Sequence, residues 1–127
     1  MPNTKKYRID VQAQPHFIAD QSDPDNARYV FSYTITIKNL GEVAAQLVSR
    51  HWIITDGNNE VQEVRGLGVI GEQPLLRPGE SFQYTSGSVL TTAIGTMKGS
   101  YQMVAEDGTH FPAEIPEFVL ASPHALH

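Results

Sequence analysis

The sequence contains no cysteine among its 127 residues. Disulfide bonds, thiolate nucleophiles and cysteine-ligated zinc are therefore excluded, and the absence fits a reducing compartment. The chain also lacks any run approaching the roughly 18 consecutive apolar residues of a membrane-spanning helix, and no apolar run follows the lysines near its amino terminus. These absences predict a cytoplasmic protein with no export signal and no membrane insertion.

Positive charge is scarce as well. The chain carries 9 Lys and Arg residues against 14 Asp and Glu residues, a formal net charge of −5. Nonspecific binding to phosphate backbones requires clustered positive charge, so we expect no nucleic-acid partner.

The chain has the size and composition of one globular domain. Single cores commonly hold roughly 100 to 150 residues, and this chain has 127 residues, of which 40% are hydrophobic and 18% are charged. We therefore expect a single domain over residues 1–127.

Apolar and polar residues alternate with a period of two along much of the chain, and no segment keeps a helical period. The clearest strand runs from Tyr29 to Lys38. An earlier strand from Tyr7 to Ala13 ends where Pro15 interrupts the ladder, which indicates a sheet edge. This pattern predicts an all-β protein.

The segment Gln46 to Thr55 carries apolar residues on both faces and is expected to be a central strand. Strict alternation places Leu47 and Ile53 on one face and Val48, Trp52 and Ile54 on the other. Trp52 is predicted to be largely buried.

The remaining segments alternate between strands and turns. Strands are predicted near Glu60 to Val64, from Phe82, from Thr96 to Ala105 and from His110 to Leu120, with a loop over Arg65 to Pro74, a tight two-residue hairpin at Asp107-Gly108 and a frayed tail over residues 121–127. About seven to eight strands with regularly spaced turns predict an antiparallel β-sandwich, with a small barrel as the alternative.

The segment Gly66-Leu-Gly68-Val-Ile-Gly71 has the glycine spacing of a dinucleotide-binding fingerprint. That fingerprint requires a following helix, which the prolines after it exclude. Two interpretations stay open. In one, the loop amides form an anion-binding site, with Arg65 and Arg77 supplying charge. In the other, which we favour, the glycines allow positive φ or close backbone approach while Val69 or Ile70 is buried.

Arg50-His51-Trp52 is a candidate partner contact, because Arg and Trp are enriched at binding hot spots. Alternation places Arg50 on the face of Trp52 and His51 on the opposite face. The alternative makes Trp52 a core residue and pairs Arg50 with an acidic neighbour at the sheet rim.

Neither a catalytic nor a metal site is predicted. Ser86 and Ser88 lack the pattern of a nucleophile elbow, and no histidine is tied to them locally. The five histidines are scattered rather than spaced as metal ligands. We therefore expect no enzymatic activity and no cofactor.

Several segments together resemble the ApaG family over nearly the whole chain. They are Phe31-Ser-Tyr-Thr-Ile-Thr-Ile-Lys-Asn39, Gln46-Leu-Val-Ser-Arg-His-Trp-Ile-Ile-Thr-Asp56, Gly66-Leu-Gly-Val-Ile-Gly71, Leu76-Arg-Pro-Gly-Glu80, Tyr84-Thr-Ser-Gly87 and Met97-Lys-Gly-Ser-Tyr-Gln-Met103. The resemblance implies an immunoglobulin or fibronectin type III-like sandwich. It also implies an association with cobalt and magnesium tolerance, and with genes for dinucleoside-polyphosphate hydrolysis. Related domains in animal F-box proteins and in a polymerase-interacting protein point to protein recognition.

Three functional hypotheses follow. The first is a noncatalytic module that presents loops or an exposed strand edge to another protein. The second is weak binding of a nucleotide or pyrophosphate through Gly66 to Gly71. The third is weak binding of a divalent cation.

Overall fold

A computed structural model describes residues 5–126, which form eight β-strands and three short 3-10 turns. The strands are β1 (Ile9–Phe17), β2 (Tyr29–Asn39), β3 (Ala45–Asp56), β4 (Val61–Leu67), β5 (Leu75–Leu76), β6 (Ser81–Leu90), β7 (Ile94–Ala105) and β8 (His110–Ala121). The 3-10 turns are Ala19–Gln21, Pro24–Asn26 and Pro123–Leu126. Among the described residues there is no helix with the length and hydropathy that a membrane span requires.

The strands form two antiparallel sheets. One has three strands in the order β1-β2-β6, and the other has five, in the order β4-β3-β7-β8 with the short β5 paired to the start of β3. This arrangement confirms the predicted fibronectin type III-like β-sandwich.

The core lies between the two sheets and follows the alternation of their strands. In β2, Phe31, Ile35 and Ile37 are buried while Thr34 and Thr36 between them are only partly covered. The predicted burial of Trp52 in β3 is confirmed, since only 3% of its surface is exposed.

A β-bulge in β3 corrects the predicted faces of that strand. The pairing of β3 with β7 shifts between Leu47 and Ser49, so Val48 is an extra residue that reverses the alternation. Leu47 therefore faces the core together with Trp52 and Ile54, instead of sharing a face with Ile53. The prediction was wrong because strict alternation assumes a ladder without insertions.

Two more local predictions are corrected. β1 continues through Pro15, which pairs with Tyr33, because an edge strand tolerates a residue without an N–H. The turn before β8 has three residues rather than two: the Gly108 N–H donates to Ala105 O and the Ala105 N–H to Thr109 O. Gly108 has the expected positive φ, +85°.

The carboxyl-terminal segment was expected to fray from Ala121. Ala121 is the last residue of β8, and the buried Ser122 donates its N–H to Ala93 O. His127, the end of the predicted tail, lies outside the described residues.

Candidate functional site: a cleft on the five-stranded sheet

A cleft of about 560 Å³ opens where β3, β4 and β7 lie side by side. His51 pairs with Arg65 across β3 and β4, and directly paired residues of antiparallel strands share a face. Because Trp52 points into the core, the preceding His51 points outward, so the cleft lies on the outer face. Its lining residues are Ser49, Arg50, His51, Arg65, Gly66, Leu67 and Gln102.

A short chain of hydrogen bonds forms one side of the cleft. The Ser49 hydroxyl donates to Gln102 Oε1 at 2.6 Å, and Gln102 Nε2 donates to the Ser100 hydroxyl at 2.9 Å. Because both the oxygen and the nitrogen of the Gln102 side-chain amide are hydrogen-bonded, the orientation of the amide is fixed. This side of the cleft is therefore polar and well ordered.

His51 contributes a polar atom without a partner. Its Nε2 has almost no solvent-exposed surface and forms no hydrogen bond among the described residues, although Glu63 Oε1 lies 3.5 Å away. Arg65 Nη2 lies 4.0 Å from the other oxygen of Glu63, and 72% of the Arg65 side chain is exposed. An exposed ion pair of this length contributes little, so the Arg65 guanidinium can bind a ligand at small cost.

Arg50 stabilises the edge of the cleft. Its Nη1 donates to Leu67 O at 3.0 Å and to Gly68 O at 2.9 Å. The guanidinium passes directly over Gly66, where a Cβ would lie 2.8 Å from Arg50 Cζ. Gly66 therefore provides the space that lets Arg50 hold the end of β4.

Two tyrosines are buried near Arg50. Burial raises the pKa of Tyr84 to about 12, and it also raises the pKa of Tyr101. Their hydroxyl groups are hydrogen-bonded to each other. Both groups stay neutral near pH 7, so Arg50 has no anionic partner on this side and is held by backbone carbonyls instead.

The glycine-rich segment beyond β4 is a tight turn closed by its own backbone. The Val69 N–H donates to Glu72 O at 2.8 Å and the Glu72 N–H to Val69 O at 2.9 Å, while the Gly68 N–H donates to Val48 O at 2.8 Å. Ile70 and Gly71 between them both have positive φ. Val69 is 1% exposed, which confirms that one of the two apolar residues here is buried.

Replacing Gly68 by alanine is expected to lower the free energy of unfolding by about 1 to 3 kcal/mol. Gly68 has a φ of +61°, and a Cβ there would lie 2.2 Å from Glu72 O. Urea denaturation followed by circular dichroism measures the loss. Gly71→Ala is the matched control, because Gly71 also has positive φ but no atom within 4 Å of its Cβ position. Equal stability of the two variants would contradict this account.

Four of the candidate residues from the sequence, Arg50, His51, Arg65 and Gly66, line one cleft, and alternation directs the side chains of His51 and Arg65 to its outer face. Gly68 and Gly71 belong to the adjacent turn. Arg77 does not line the cleft and lies near Glu80 in the turn before β6. The predicted loop over Arg65 to Pro74 starts too early, because β4 continues to Leu67.

Sequence reasoning missed three lining residues, which are Ser49, Leu67 and Gln102. Ser49 and Leu67 share the outer face with His51, and this could have been inferred from alternation within β3 and from its pairing with β4. Gln102 comes from β7, and only the register between β3 and β7 brings it to Ser49.

A second cavity, of about 370 Å³, lies at another part of the fold. It is lined by Phe17, Ala19, Ser22, Pro24, Tyr29, Ala93, Ser122 and Ala125. None of these residues is charged at pH 7, and most of the lining is apolar. We favour the cleft as the functional site because it contains charged groups and an unpartnered polar atom.

The Ser49 hydroxyl in the cleft is not paired with the neighbouring histidine. Ser49 donates its proton to Gln102 and not to His51, so no base is placed to activate this hydroxyl. Within the part of the chain that the structure describes, no three His, Asp or Glu side chains converge as metal ligands.

Comparison with known proteins identifies the family. The family model described as the ApaG domain matches residues 19–105. The chain is 83% identical over 127 residues to protein ApaG of Dechloromonas aromatica (strain RCB), and 65% identical over 127 residues to protein ApaG of Nitrosomonas eutropha (strain DSM 101675 / C91 / Nm57). Each match covers 100% of both chains.

A solved structure agrees with this assignment. The crystal structure of a Bordetella pertussis protein described as ApaA matches with a TM-score of 0.92 and 56% sequence identity, over 94% of this chain and 97% of that chain. Family model, full-length relatives and fold all agree, and the chain belongs to the ApaG family.

Proposed function

We propose that this chain is a noncatalytic binding module that recognises another protein through the cleft on β3, β4 and β7. The observation that carries the proposal is the combination of Leu67, 75% exposed, with the exposed Arg65 guanidinium and the unpartnered His51 Nε2 in one cleft. Arginine is enriched at binding hot spots, and an exposed apolar side chain beside it offers surface that a partner can bury. We also propose a cytoplasmic location, because a chain without cysteine fits a reducing compartment.

Exposed apolar residues continue beyond the cleft. Ile70, in the turn that follows β4, is 57% exposed, and Leu75 at the start of β5 is 55% exposed. Ile70 also has a φ of +43°, a conformation that β-branched residues rarely adopt. A solvent-exposed isoleucine in a strained turn does not stabilise the isolated fold. Its side chain would be buried in contact with a partner, which is a reason for an apolar residue at this position.

The pyrophosphate hypothesis finds less support in the same geometry. The amides of Gly68 and Val69, and that of Glu72 just beyond the segment, are hydrogen-bonded within the protein. The carbonyls of Leu67 and Gly68 face the Arg50 guanidinium. An anion site requires free N–H groups that converge on one point. Arg77, the second expected cation, lies outside the cleft.

Affinity capture with matched variants tests the protein-binding role. The immobilised chain is exposed to lysate of a bacterium that encodes it, and the retained proteins are identified by mass spectrometry. Leu67→Glu should abolish retention of the specific partner. Val119→Glu is the control, because Val119 lies in β8 of the same sheet, is 49% exposed and is not part of the cleft. Retention that survives both Leu67→Glu and Arg65→Ala would exclude the cleft.

We expect pyrophosphate and dinucleoside polyphosphates to bind no tighter than about 1 mM, near −4 kcal/mol. The amides of Gly68, Val69 and Glu72 would have to leave existing hydrogen bonds to bind them. Isothermal titration calorimetry measures the affinity, with parallel titrations of cobalt and magnesium ions for the cation hypothesis. Micromolar pyrophosphate binding that Arg65→Ala abolishes would establish the nucleotide hypothesis in place of the protein-binding one.

A further inference from the structure

The two sheets of the sandwich have four long edge strands, which are β1, β6, β4 and β8, and the two-residue β5 pairs only with β3. An exposed edge can pair with a strand of another chain, and proteins prevent this with prolines, charges and bulges. Three of the four edges carry such features. β1 has Asp10 and Pro15, β4 has Glu63 and Arg65, and β8 has Pro112, Glu114, Pro116 and Glu117.

β6 is the exception. Its sequence, SFQYTSGSVL, contains no charged residue and no proline. It pairs with β2 through ten consecutive residue pairs, from Tyr29 with Leu90 to Lys38 with Ser81, without a shift in register. On its other side no strand of the described residues pairs with it. β6 is therefore a long, regular edge without the usual protection.

The register identifies the backbone groups that this edge offers. The Asn39 N–H donates to Glu80 O at 3.0 Å, and this pair continues the register of β2 with β6. In an antiparallel ladder, alternate residues direct their backbone groups towards the same neighbour. Even-numbered residues of β6 therefore bond to β2. The N–H and C=O groups that point away from β2 belong to Ser81, Gln83, Thr85, Gly87 and Val89.

A groove lies beside the carboxyl-terminal end of β6, between it and β4. It has a volume of about 230 Å³ and is lined by Ile54, Asp56, Glu60, Val61, Gln62, Val89, Leu90 and Thr91. A strand added to β6 would place inward side chains over this groove. Most of the lining is polar, and the two carboxylates suit a cation, while Ile54, Val61, Val89 and Leu90 offer a smaller apolar surface.

We propose that β6 accepts an extended segment of a partner protein as an added strand. The segment is uncharged along most of its length and carries an apolar residue and a Lys or Arg at the end that reaches Asp56 and Glu60. Main-chain hydrogen bonds to the outward groups of β6 supply affinity, and the groove supplies specificity. This inference rests on the proposed function in taking a protein as ligand, but it assigns a surface separate from the cleft.

A second copy of the chain fits this edge less well. Antiparallel pairing of two β6 strands about a twofold axis at Thr85 would bring Ser81 of one copy opposite Val89 of the other. Glu80 would then lie close to Asp56 and Glu60, where like charges repel.

The test uses a phage-displayed library of random dodecapeptides selected on the intact chain. Enriched peptides are synthesised and titrated by fluorescence anisotropy against the wild type and two variants. Thr85→Pro removes one outward N–H, at a position where an edge strand tolerates proline. Thr85→Val keeps that N–H. Both variants lose the hydroxyl contact between Thr85 and Thr34, so they differ chiefly in the edge hydrogen bond.

We expect enriched peptides to contain a Lys or Arg beside an apolar residue in an otherwise uncharged segment. Their affinity should fall at least tenfold in Thr85→Pro and change less than twofold in Thr85→Val. Amide hydrogen exchange on the wild type gives a readout that needs no variant: peptide should protect the amides of Ser81, Gln83, Thr85, Gly87 and Val89. This protection decides the result if Thr85→Pro does not fold.

Three results would overturn the proposal. One is the absence of any enriched peptide, and another is a dimer of the chain that Thr85→Pro dissociates. The third is a peptide lost with Leu67→Glu but not with Thr85→Pro, which would move the partner to the cleft and leave the proposed function standing. Affinity capture separates the two proposals in the same way. If a cellular protein is lost with Leu67→Glu but retained with Thr85→Pro, the cleft binds the partner and β6 does not.

Discussion

Replacing Trp52 by alanine is expected to lower the free energy of unfolding by about 3 to 5 kcal/mol. Trp52 is 3% exposed and makes edge-to-face contacts with Tyr33, Tyr101 and Phe118, at centroid distances of 5.4, 6.5 and 6.0 Å. Tyr33 belongs to the three-stranded sheet and the other two to the five-stranded sheet. Removal of the indole therefore leaves a cavity at a contact that joins both sheets.

Urea denaturation followed by circular dichroism measures this loss without relying on the tryptophan itself. Ile53→Ala provides the comparison, because Ile53 is adjacent in β3 but only partly buried on the other face. Its loss should be clearly smaller. A Trp52→Ala variant within about 1 kcal/mol of the wild type would contradict the role of Trp52, as would a wild-type emission maximum characteristic of full exposure.

The fold could be predicted from the sequence because its signals are local. The period-two pattern of β2 needs no knowledge of a partner strand, and turn residues mark most strand ends. The bulge at Val48 could not be predicted in this way, since it exists only relative to the pairing of β3 with β7. One inserted residue was enough to place Leu47 on the wrong face.

The candidate site was predictable only in part, for the same reason. Arg50, His51, Arg65 and Gly66 were identified from residue type, and the register of β3 with β4 brings them together. The function of Arg50 was not apparent, because the expected acidic partner is replaced by two backbone carbonyls. The residue type indicates which groups a side chain can bind, whereas the pairing of strands determines which groups lie next to it.

Asn39, the last residue of β2, is a buried polar residue whose partners the sequence does not indicate. It is 1% exposed and its amide is fully used: Nδ2 donates to Val43 O and Leu76 O, and Oδ1 accepts from the Gly41 N–H. Two of these partners lie in the connection from β2 to β3 and the third in β5. The contact with Leu76 spans 37 residues, and nothing in the local pattern indicates it.

Gly99 is another residue whose role depends on a contact with a distant part of the chain. Its replacement by alanine is expected to lower the free energy of unfolding by about 3 kcal/mol or more, because overpacking against rigid atoms strains the backbone. Gly99 lies in β7 opposite Trp52 of β3, where a Cβ would be 2.0 Å from His51 O, 3.1 Å from His51 C and 3.2 Å from Trp52 Cα. All three are main-chain atoms, so no side chain can rotate away. Relief requires the two central strands of the sheet to separate, next to the cleft residue His51.

The control for this variant is Gly87→Ala in β6. Gly87 is also a strand glycine, but its nearest contact from a Cβ would be Phe31 O at 3.3 Å, and it lies on an edge that can adjust. Glycine within a strand costs roughly 0.5 to 1 kcal/mol relative to alanine, so Gly87→Ala should be near neutral or stabilising.

Chemical denaturation of both variants measures the difference in stability. If Gly99→Ala unfolds at the same urea concentration as Gly87→Ala, the close approach of β3 and β7 at this position is refuted. If it is destabilised as expected, amide exchange should show the loss concentrated at the pairing of His51 and Trp52 with β7, because that is where the added methyl group forces the ladder apart.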